Sequence, residues 1–299
     1  MKHTASCLCG AVRWEVDGPI GIPRGKVDES SAAWLIQMSH CHCSRCRKHH
    51  GAPMGTYVVV KASAFRFSEG AATVARYVAP GGSPRPFCPR CGSTVPNGAP
   101  FDGLVAVPAG NFDGELGLTP KCHIFWGSRA PWLDVRDDLP KFDAYPEGFE
   151  APVLPDRVVD PPTPGIARGS CLCGEVRYEL EGPGIRARTC HCSRCRKAGS
   201  AAYVAYVSTD LAHGQYTAGA ARVRTFKVPD ARYFKHAFCE ACGSSVPRGD
   251  TERDLFIVPM GTLDDPPPRR PERHIFVGSK VAWDVISDDL PQDLEHAPS

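Results

Sequence analysis

The sequence predicts an all-β protein made of two tandem domains, each a set of short antiparallel strands tied together by bound metal. Three observations carry that prediction. The chain of 299 residues repeats itself at a period of about 150, too long for a solenoid repeat and right for two domains. Each copy holds seven cysteines in one fixed order. Glycine and proline number 29 each, and no segment sustains a 3.6-residue apolar period, so strands and turns outweigh helices.

Taken in order, the first copy opens with SCLCGAVRWEVDGP from Ser6, where Val12, Trp14 and Val16 alternate with polar residues as a half-buried strand does. An extra segment of about Ile20 to Ser39 follows, and nothing comparable lies between Gly182 and Cys190 in the second copy. The motif CHCSRCRK then spans Cys41 to Lys48, and Ser44 to His49 is the one stretch suited to a helical turn. Thr56–Val60, Arg76–Val78, Leu104–Val107 and His123–Trp126 are further strand candidates. FCPRCGSTVP from Phe87 and HIFWGSRAPWLDVRDDLP from His123 complete the copy. A proline-rich connection over 145–165 is expected to be a stiff, extended linker.

The second copy returns as SCLCGEVRYELEGP from Ser170, CHCSRCRK from Cys190, FCEACGSSVP from Phe238 and HIFVGSKVAWDVISDDLP from His274. Ala202–Val207, Val223–Phe226 and Leu255–Val258 are its strand candidates, and Ser193–Ala198 its helical turn. The expected domains are thus 1–144, with the insertion at about 20–39, and 166–299.

Fifteen cysteines in a chain with no apolar leader point to metal thiolates, because disulfides rarely persist in a reducing compartment. Zinc prefers four ligands in a tetrahedron and takes thiolate readily. One Cys-x-x-Cys-Gly loop supplies two, so Cys88 and Cys91 need Cys7 and Cys9, and Cys239 and Cys242 need Cys171 and Cys173. The remaining thiols, Cys41, Cys43 and Cys46 with Cys190, Cys192 and Cys195, form two sets of three. Three protein ligands and one open position is the arrangement of a catalytic zinc. A histidine completing a closed site, or a motif without metal, are the plain alternatives. Arg45, Arg47 and Lys48, with Arg194, Arg196 and Lys197, are placed to offset thiolate charge or receive a substrate carboxylate.

Other residues carry less. His42 and His191 sit between two cysteines and are expected to support the site rather than ligate. His123 and His274 are structural hydrogen-bonding residues or, on a sharper view, general bases. Trp132 and Trp283 are expected in the core, and Asp137, Asp138, Asp288 and Asp289 in solvated turns. Cys122 has no counterpart, Arg273 standing in its place; it is an ordinary thiol or a fourth ligand for the first open site.

These motifs resemble the glutathione-dependent formaldehyde-activating (GFA, CENP-V-like) family, twice over and across nearly the whole chain. The resemblance implies two tandem β-tent (Mss4-like) domains with up to two zinc ions each. It assigns the Cys-x-Cys and Cys-x-x-Cys pairs to a structural zinc and the triple-cysteine motif to a catalytic one. It further implies a carbon–sulfur lyase of the S-(hydroxymethyl)glutathione synthase type, with glutathione or a related small thiol as partner.

The competing class is a non-catalytic zinc-binding module for protein or nucleic acid. A net charge of +2 gives no general pull toward nucleic acid, and the basic clusters, Arg269–Arg273 among them, lack interleaved aromatics. Redox work through Cys-x-x-Cys would need free thiols. No apolar run approaches the roughly 20 residues of a membrane span. A soluble, cytoplasmic protein is expected.

Overall fold

The computed structural model describes residues 2–23, 29–100, 102–156 and 158–296. Part of the insertion, 24–28, lies outside the described residues. The regular structure is mostly strand, in several small sheets, and the two copies of the sequence build similar sets that differ in one edge strand of the larger sheet, Lys141–Phe142 in the first and Arg248–Asp250 in the second. In the first, Lys2–Ser6, Arg13–Asp17 and Phe65–Glu69 form an antiparallel three-stranded sheet. A five-stranded sheet follows, ordered Lys141–Phe142, Cys122–Ile124, Met38–Cys41, Gly55–Lys61, Leu104–Pro108. Its two pairings through Cys122–Ile124 are parallel; the others are antiparallel. A hairpin of Ala75–Tyr77 and Arg85–Phe87 presents the Cys-x-x-Cys loop.

The second copy repeats this with Ile166–Ser170, Arg177–Glu181 and Gly214–Ala218. Its larger sheet is ordered Arg248–Asp250, Leu255–Pro259, Val204–Thr209, Arg186–Cys190, His274–Ile275, and its hairpin pairs Val223–Lys227 with Lys235–Cys239. Even the register shift recurs, between Arg13 and Trp14 and between Arg177 and Tyr178. The expected strand alternation holds: Val12, Trp14 and Val16 are fully buried while Arg13 and Asp17 face solvent. The two helical turns are α1, Ser44–His50, and α2, Ser193–Gly199. Each is capped by a thiol, since Cys43 Sγ accepts from Cys46 N and Cys192 Sγ from Cys195 N, both at 3.4 Å. The strand expected over His123–Trp126 stops at Ile124, because Phe125 turns the chain at φ 56°; Phe276 does the same at φ 58°.

The cores are shared between the copies. Trp283 packs with Val12, Trp14 and Val16 of the first copy, and Trp132 packs with Tyr178 and Leu180 of the second. Both tryptophans are core residues as expected, but each fills the other copy's core. The Cys-x-x-Cys loops cross too. Gly92 (φ 74°) lies where a Cβ would fall 2.4 Å from the Phe238 ring, and Gly243 (φ 73°) stands equally close to Phe87. Glycine there serves both the left-handed turn and this close approach. The first part of the connection does not extend away as a spacer. Tyr145 packs edge-on to Phe125 at 5.0 Å and tilted on Phe149 at 4.9 Å, folding it back onto the first copy.

Candidate metal centres

Four groups of cysteines converge, and they are the groups the spacing predicts: Cys7, Cys9, Cys88, Cys91; Cys171, Cys173, Cys239, Cys242; Cys41, Cys43, Cys46; Cys190, Cys192, Cys195. Within each, the sulfurs lie within 4.8 Å of one another. All fifteen cysteines are free thiols. A tetrahedral ion with Zn–S near 2.3 Å needs sulfurs about 3.8 Å apart. Cys7 and Cys9 are 3.5 Å apart, Cys9 and Cys88 3.7 Å, Cys171 and Cys173 3.3 Å, Cys173 and Cys239 3.8 Å. The donor sets therefore fit a soft tetrahedral ion with little adjustment.

Each four-thiol group is braced by residues that spacing alone did not single out. Ser93 Oγ accepts from Leu8 N at 3.0 Å and touches Cys91 Sγ at 3.3 Å; Ser244 repeats this with Leu172 N and Cys242 at 2.9 and 3.4 Å. Val12 N and Val176 N each donate to the first cysteine of their group at 3.3 Å. A serine directly after Cys-x-x-Cys-Gly in both copies was the available signal.

In the first three-thiol group Cys41 and Cys43 are 3.5 Å apart, and Arg85 Nη1 donates to Cys46 Sγ at 3.4 Å. Hydrogen bonds from Cys41 and Cys43, and then the Arg85 charge, hold the Cys46 thiol well below its ordinary value. Tyr57 Oη lies 4.0 Å from the same sulfur and is fixed by His50 Nε2 at 2.7 Å. In the second group the counterpart tyrosine, Tyr206, lies under the Arg248 guanidinium at 5.5 Å. No histidine joins a cluster among the described residues. Cys122 stays apart, its thiol facing the Leu35 carbonyl at 3.7 Å and pushed up to about 12 by burial.

The histidines and aspartates form two matching relays. Asp137 accepts from His123 Nε2 at 3.0 Å, and His123 Nδ1 meets His42 Nε2 at 2.8 Å. Asp288, His274 and His191 repeat this at 3.0 and 2.8 Å. With the carboxylate as acceptor, the outer histidine offers a lone pair and His42 or His191 donates its Nε2 proton. Burial drives His191 down to about 3, and His42 lies well below its usual value for the same reason. Each relay orients the residue between two cysteines of the open group. Asp137 and Asp288 were expected in solvated turns; each instead accepts a buried imidazole proton, and the shared spacing of 14 residues was the clue.

The basic residues of CHCSRCRK do not surround the thiols as expected. Lys48 reaches the other copy, where Nζ donates to Ser170 O (2.8 Å), Ser170 Oγ (3.0 Å) and Thr262 O (3.2 Å) and pairs with Asp264 at 2.8 Å. Lys197 mirrors it on Ser6 Oγ, at 2.7 Å, and Asp113. Arg196 donates to the Gly110 and Phe112 carbonyls at 2.7 and 3.1 Å, and Arg47 to the His42 carbonyl at 3.3 Å. Arg45 stays beside the cysteines, tethered to the Pro155 carbonyl at 3.2 Å, and Arg194 pairs with Asp230 at 3.2 Å.

A cavity of about 610 Å³ opens onto Cys41, Cys43 and Cys46, within the usual range for small-molecule sites. Its lining includes Arg45, His49, Tyr57 and Arg85 together with many apolar side chains. Among the described residues no helix is long and apolar enough to cross a membrane.

The family model described as "glutathione-dependent formaldehyde-activating enzyme" matches residues 2–128 and again 166–279. No curated protein matches the chain. Among solved structures, the crystal structure of a Rhodobacter sphaeroides protein, a structural-genomics target, is 26% identical over 35% of this chain and 97% of that one, with a TM-score of 0.28.

Proposed function

The chain belongs to the glutathione-dependent formaldehyde-activating enzyme family, and from that premise we propose a zinc-dependent carbon–sulfur lyase of the S-(hydroxymethyl)glutathione synthase type. In each repeat, taken as 1–144 and 166–299, the four-cysteine group would hold a structural zinc. The three-cysteine group would hold a second one, next to the sulfur of glutathione or a related thiol. When bound there, the ion supplies positive charge that favours the thiolate over the thiol near neutral pH. The reaction joins that sulfur to the carbonyl carbon of formaldehyde. The carbonyl electron pair moves to oxygen, which ends with the proton the thiol gave up, and the reverse direction breaks the same carbon–sulfur bond. No oxidant or reductant is consumed.

The chain's own residues supply position and environment. Arg85 offsets the charge on Cys46, and Tyr57, held by His50, fills the space beside it. The relay through His42, His123 and Asp137 keeps the Cys41–Cys43 segment in one orientation. Lowering a thiol's pKa also lowers its nucleophilicity, so capture and orientation contribute more than activation. The observation that carries the reading is the cavity opening onto all three sulfurs of the first open group.

The alternative, a non-catalytic zinc module for protein or nucleic acid, would draw on the basic clusters. Those clusters are spent within the chain. Lys48, Lys197 and Arg196 hold the other repeat, Arg269 pairs with Glu272, Arg270 bonds the Pro131 carbonyl at 3.1 Å and Arg273 pairs with Asp293 at 2.8 Å.

Two measurements test the proposal. Glutathione titrated into cobalt-substituted protein is expected to shift the thiolate charge-transfer bands, and an unchanged spectrum counts against thiol capture. Formaldehyde-dependent consumption of glutathione is expected in the wild type and lost on combining Cys43→Ala with Cys192→Ala. Retained turnover in that double variant would place the chemistry elsewhere.

A further inference from the structure

We propose that the first repeat's cavity is built for a thiol, free or as its aldehyde adduct, with a bulky apolar body, and that linker residues 145–156 form part of this ligand site. The inference rests on the reading of Cys41, Cys43 and Cys46 as the thiol-capturing group and adds the class of thiol they receive. The cavity sets polar groups and apolar side chains around the same three sulfurs. It is lined by the three sulfurs, Arg85 and His49, and by the apolar side chains of Ile36, Phe125, Tyr145, Phe149 and Leu154. Of these, Ile36 belongs to the insertion, while Tyr145, Phe149 and Leu154 belong to the linker. The insertion, which has no counterpart in the second repeat, and the linker thus supply four of these five apolar side chains.

This roof is fastened. Ser44 Oγ donates to Asp156 Oδ1 at 2.6 Å, Ser44 N donates to the same oxygen at 3.2 Å, and Arg45 Nη2 donates to the Pro155 carbonyl. Those three bonds tie the linker to the first turn of α1, the helix that carries Cys46. Ordering an aromatic roof over three thiols gives an apolar ligand body a place to leave water. Such walls favour an apolar thiol over glutathione, which carries two carboxylates and an ammonium at neutral pH. Each buried ion needs an opposite charge of its own. Within the lining Arg85 is already engaged by Cys46 and Asp156 by Ser44, which leaves Arg45, whose Nε has no partner, to meet one of the two carboxylates.

In the lining, His49 is 2% exposed and neither ring nitrogen meets a partner in hydrogen-bond geometry, although the Pro86 carbonyl lies near. A buried imidazole without partners is costly unless a ligand completes it. The hydroxyl of an aldehyde adduct, next to the sulfur, is the group of the ligand that would do so. Ala198 occupies the matching place in α2, so this contact belongs to the first repeat alone.

The test uses the zinc-loaded full chain carrying Cys192→Ser, which leaves the first open group as the thiol site. Binding of 2-mercaptoethanol, 2-phenylethanethiol and glutathione is measured by calorimetry, with the cobalt form read by absorption. The aromatic thiol is expected to bind at least about tenfold more tightly than 2-mercaptoethanol, from burial of its ring. Phe149→Ala, and independently Leu154→Ala at a less buried position, should remove most of that advantage while leaving 2-mercaptoethanol binding unchanged. Equal affinity for all three thiols, or glutathione the tightest, would overturn this inference and leave the lyase reading standing. If no thiol binds or shifts the cobalt bands, the lyase reading falls and this one with it.

Discussion

At Cys46 the first repeat sets a guanidinium against the sulfur, from Arg85 on the hairpin that leads into Cys88. The second repeat has His236 at that point of its hairpin, and it turns away, bonding the Cys91 carbonyl at 2.7 Å and Ser245 Oγ at 2.9 Å. Its cation, Arg248, comes from a different strand and stacks on Tyr206. The same divergence runs through α1 and α2, where His49 and His50 face Ala198 and Gly199. The sulfurs nonetheless converge alike in both repeats. Thiol geometry is set by a short stretch of backbone and its caps, which both copies keep. Charge and cavity shape are drawn from the hairpin's side chains and the insertion, which they do not. Two sites with one motif are therefore expected to share a metal preference and differ in ligand.

The largest expected effect separates closed groups from open ones. Cys88→Ser or Cys239→Ser should remove one ion and unfold its repeat, since binding to such a site is folding energy on the order of 10 kcal/mol. Cys43→Ser or Cys192→Ser should lower metal content while leaving the fold cooperative. Metal analysis with thermal melts checks this. A protein that melts normally after losing Cys88 would show that the four-thiol group does not hold the fold.

Next in size is the contrast between the two motif lysines. Lys48 and Asp264 have side chains only 5% and 13% exposed, whereas Lys197 and Asp113 are 18% and 40% exposed. Lys48→Met removes the cation facing Asp264, which keeps only the Ser170 hydroxyl, and should cost roughly 3–5 kcal/mol. Lys197→Met leaves Asp113 to water and should cost about 1 kcal/mol. Denaturant unfolding of both variants measures the difference, and equal losses would mean that the two halves of the interface are energetically equivalent after all.

How much of this was legible in the sequence follows from how far each feature reaches. Which thiols converge was legible, because Cys-x-Cys, Cys-x-x-Cys and Cys-x-Cys-x-x-Cys are local spacings written twice. The strand alternation around Trp14 and the helical turn after Cys43 were legible for the same reason. The fate of Lys48 and Arg196 was not, because a cation's partner is fixed by how one repeat packs on the other. Trp132 and Trp283 illustrate the same limit: apolar character marks them as core but says nothing of whose core. The linker's prolines suggested a spacer, and its Tyr145 and Phe149, rings that favour burial, decided otherwise. Asp137 and Asp288 could have been found, since each follows its histidine at an identical distance in both copies.

The smallest expected effect tests an inequality inside one relay. In the second repeat Asp284 Oδ2 lies 3.6 Å from His191 Nδ1, too far for a hydrogen bond, and Leu133 stands at the matching place in the first repeat. Burial lifts the Asp284 carboxyl from its ordinary 3.8 to about 7. Between about pH 4 and pH 7 the unfolded chain has therefore released a proton that the folded chain keeps. Stability consequently falls as pH rises through that window and levels off above it. Replacing Asp284 with leucine, as the first repeat already does, removes the cost. The variant is expected to gain roughly 2–4 kcal/mol at pH 8, and less at pH 5, where little of the cost has yet accrued. Melting both proteins at each pH isolates the carboxyl from any general effect of acid on the thiols, because that effect is common to the pair. A gain that does not grow with pH would mean that Asp284 is ionised in the folded chain, and that a cation among its neighbours, Lys280 first, balances it.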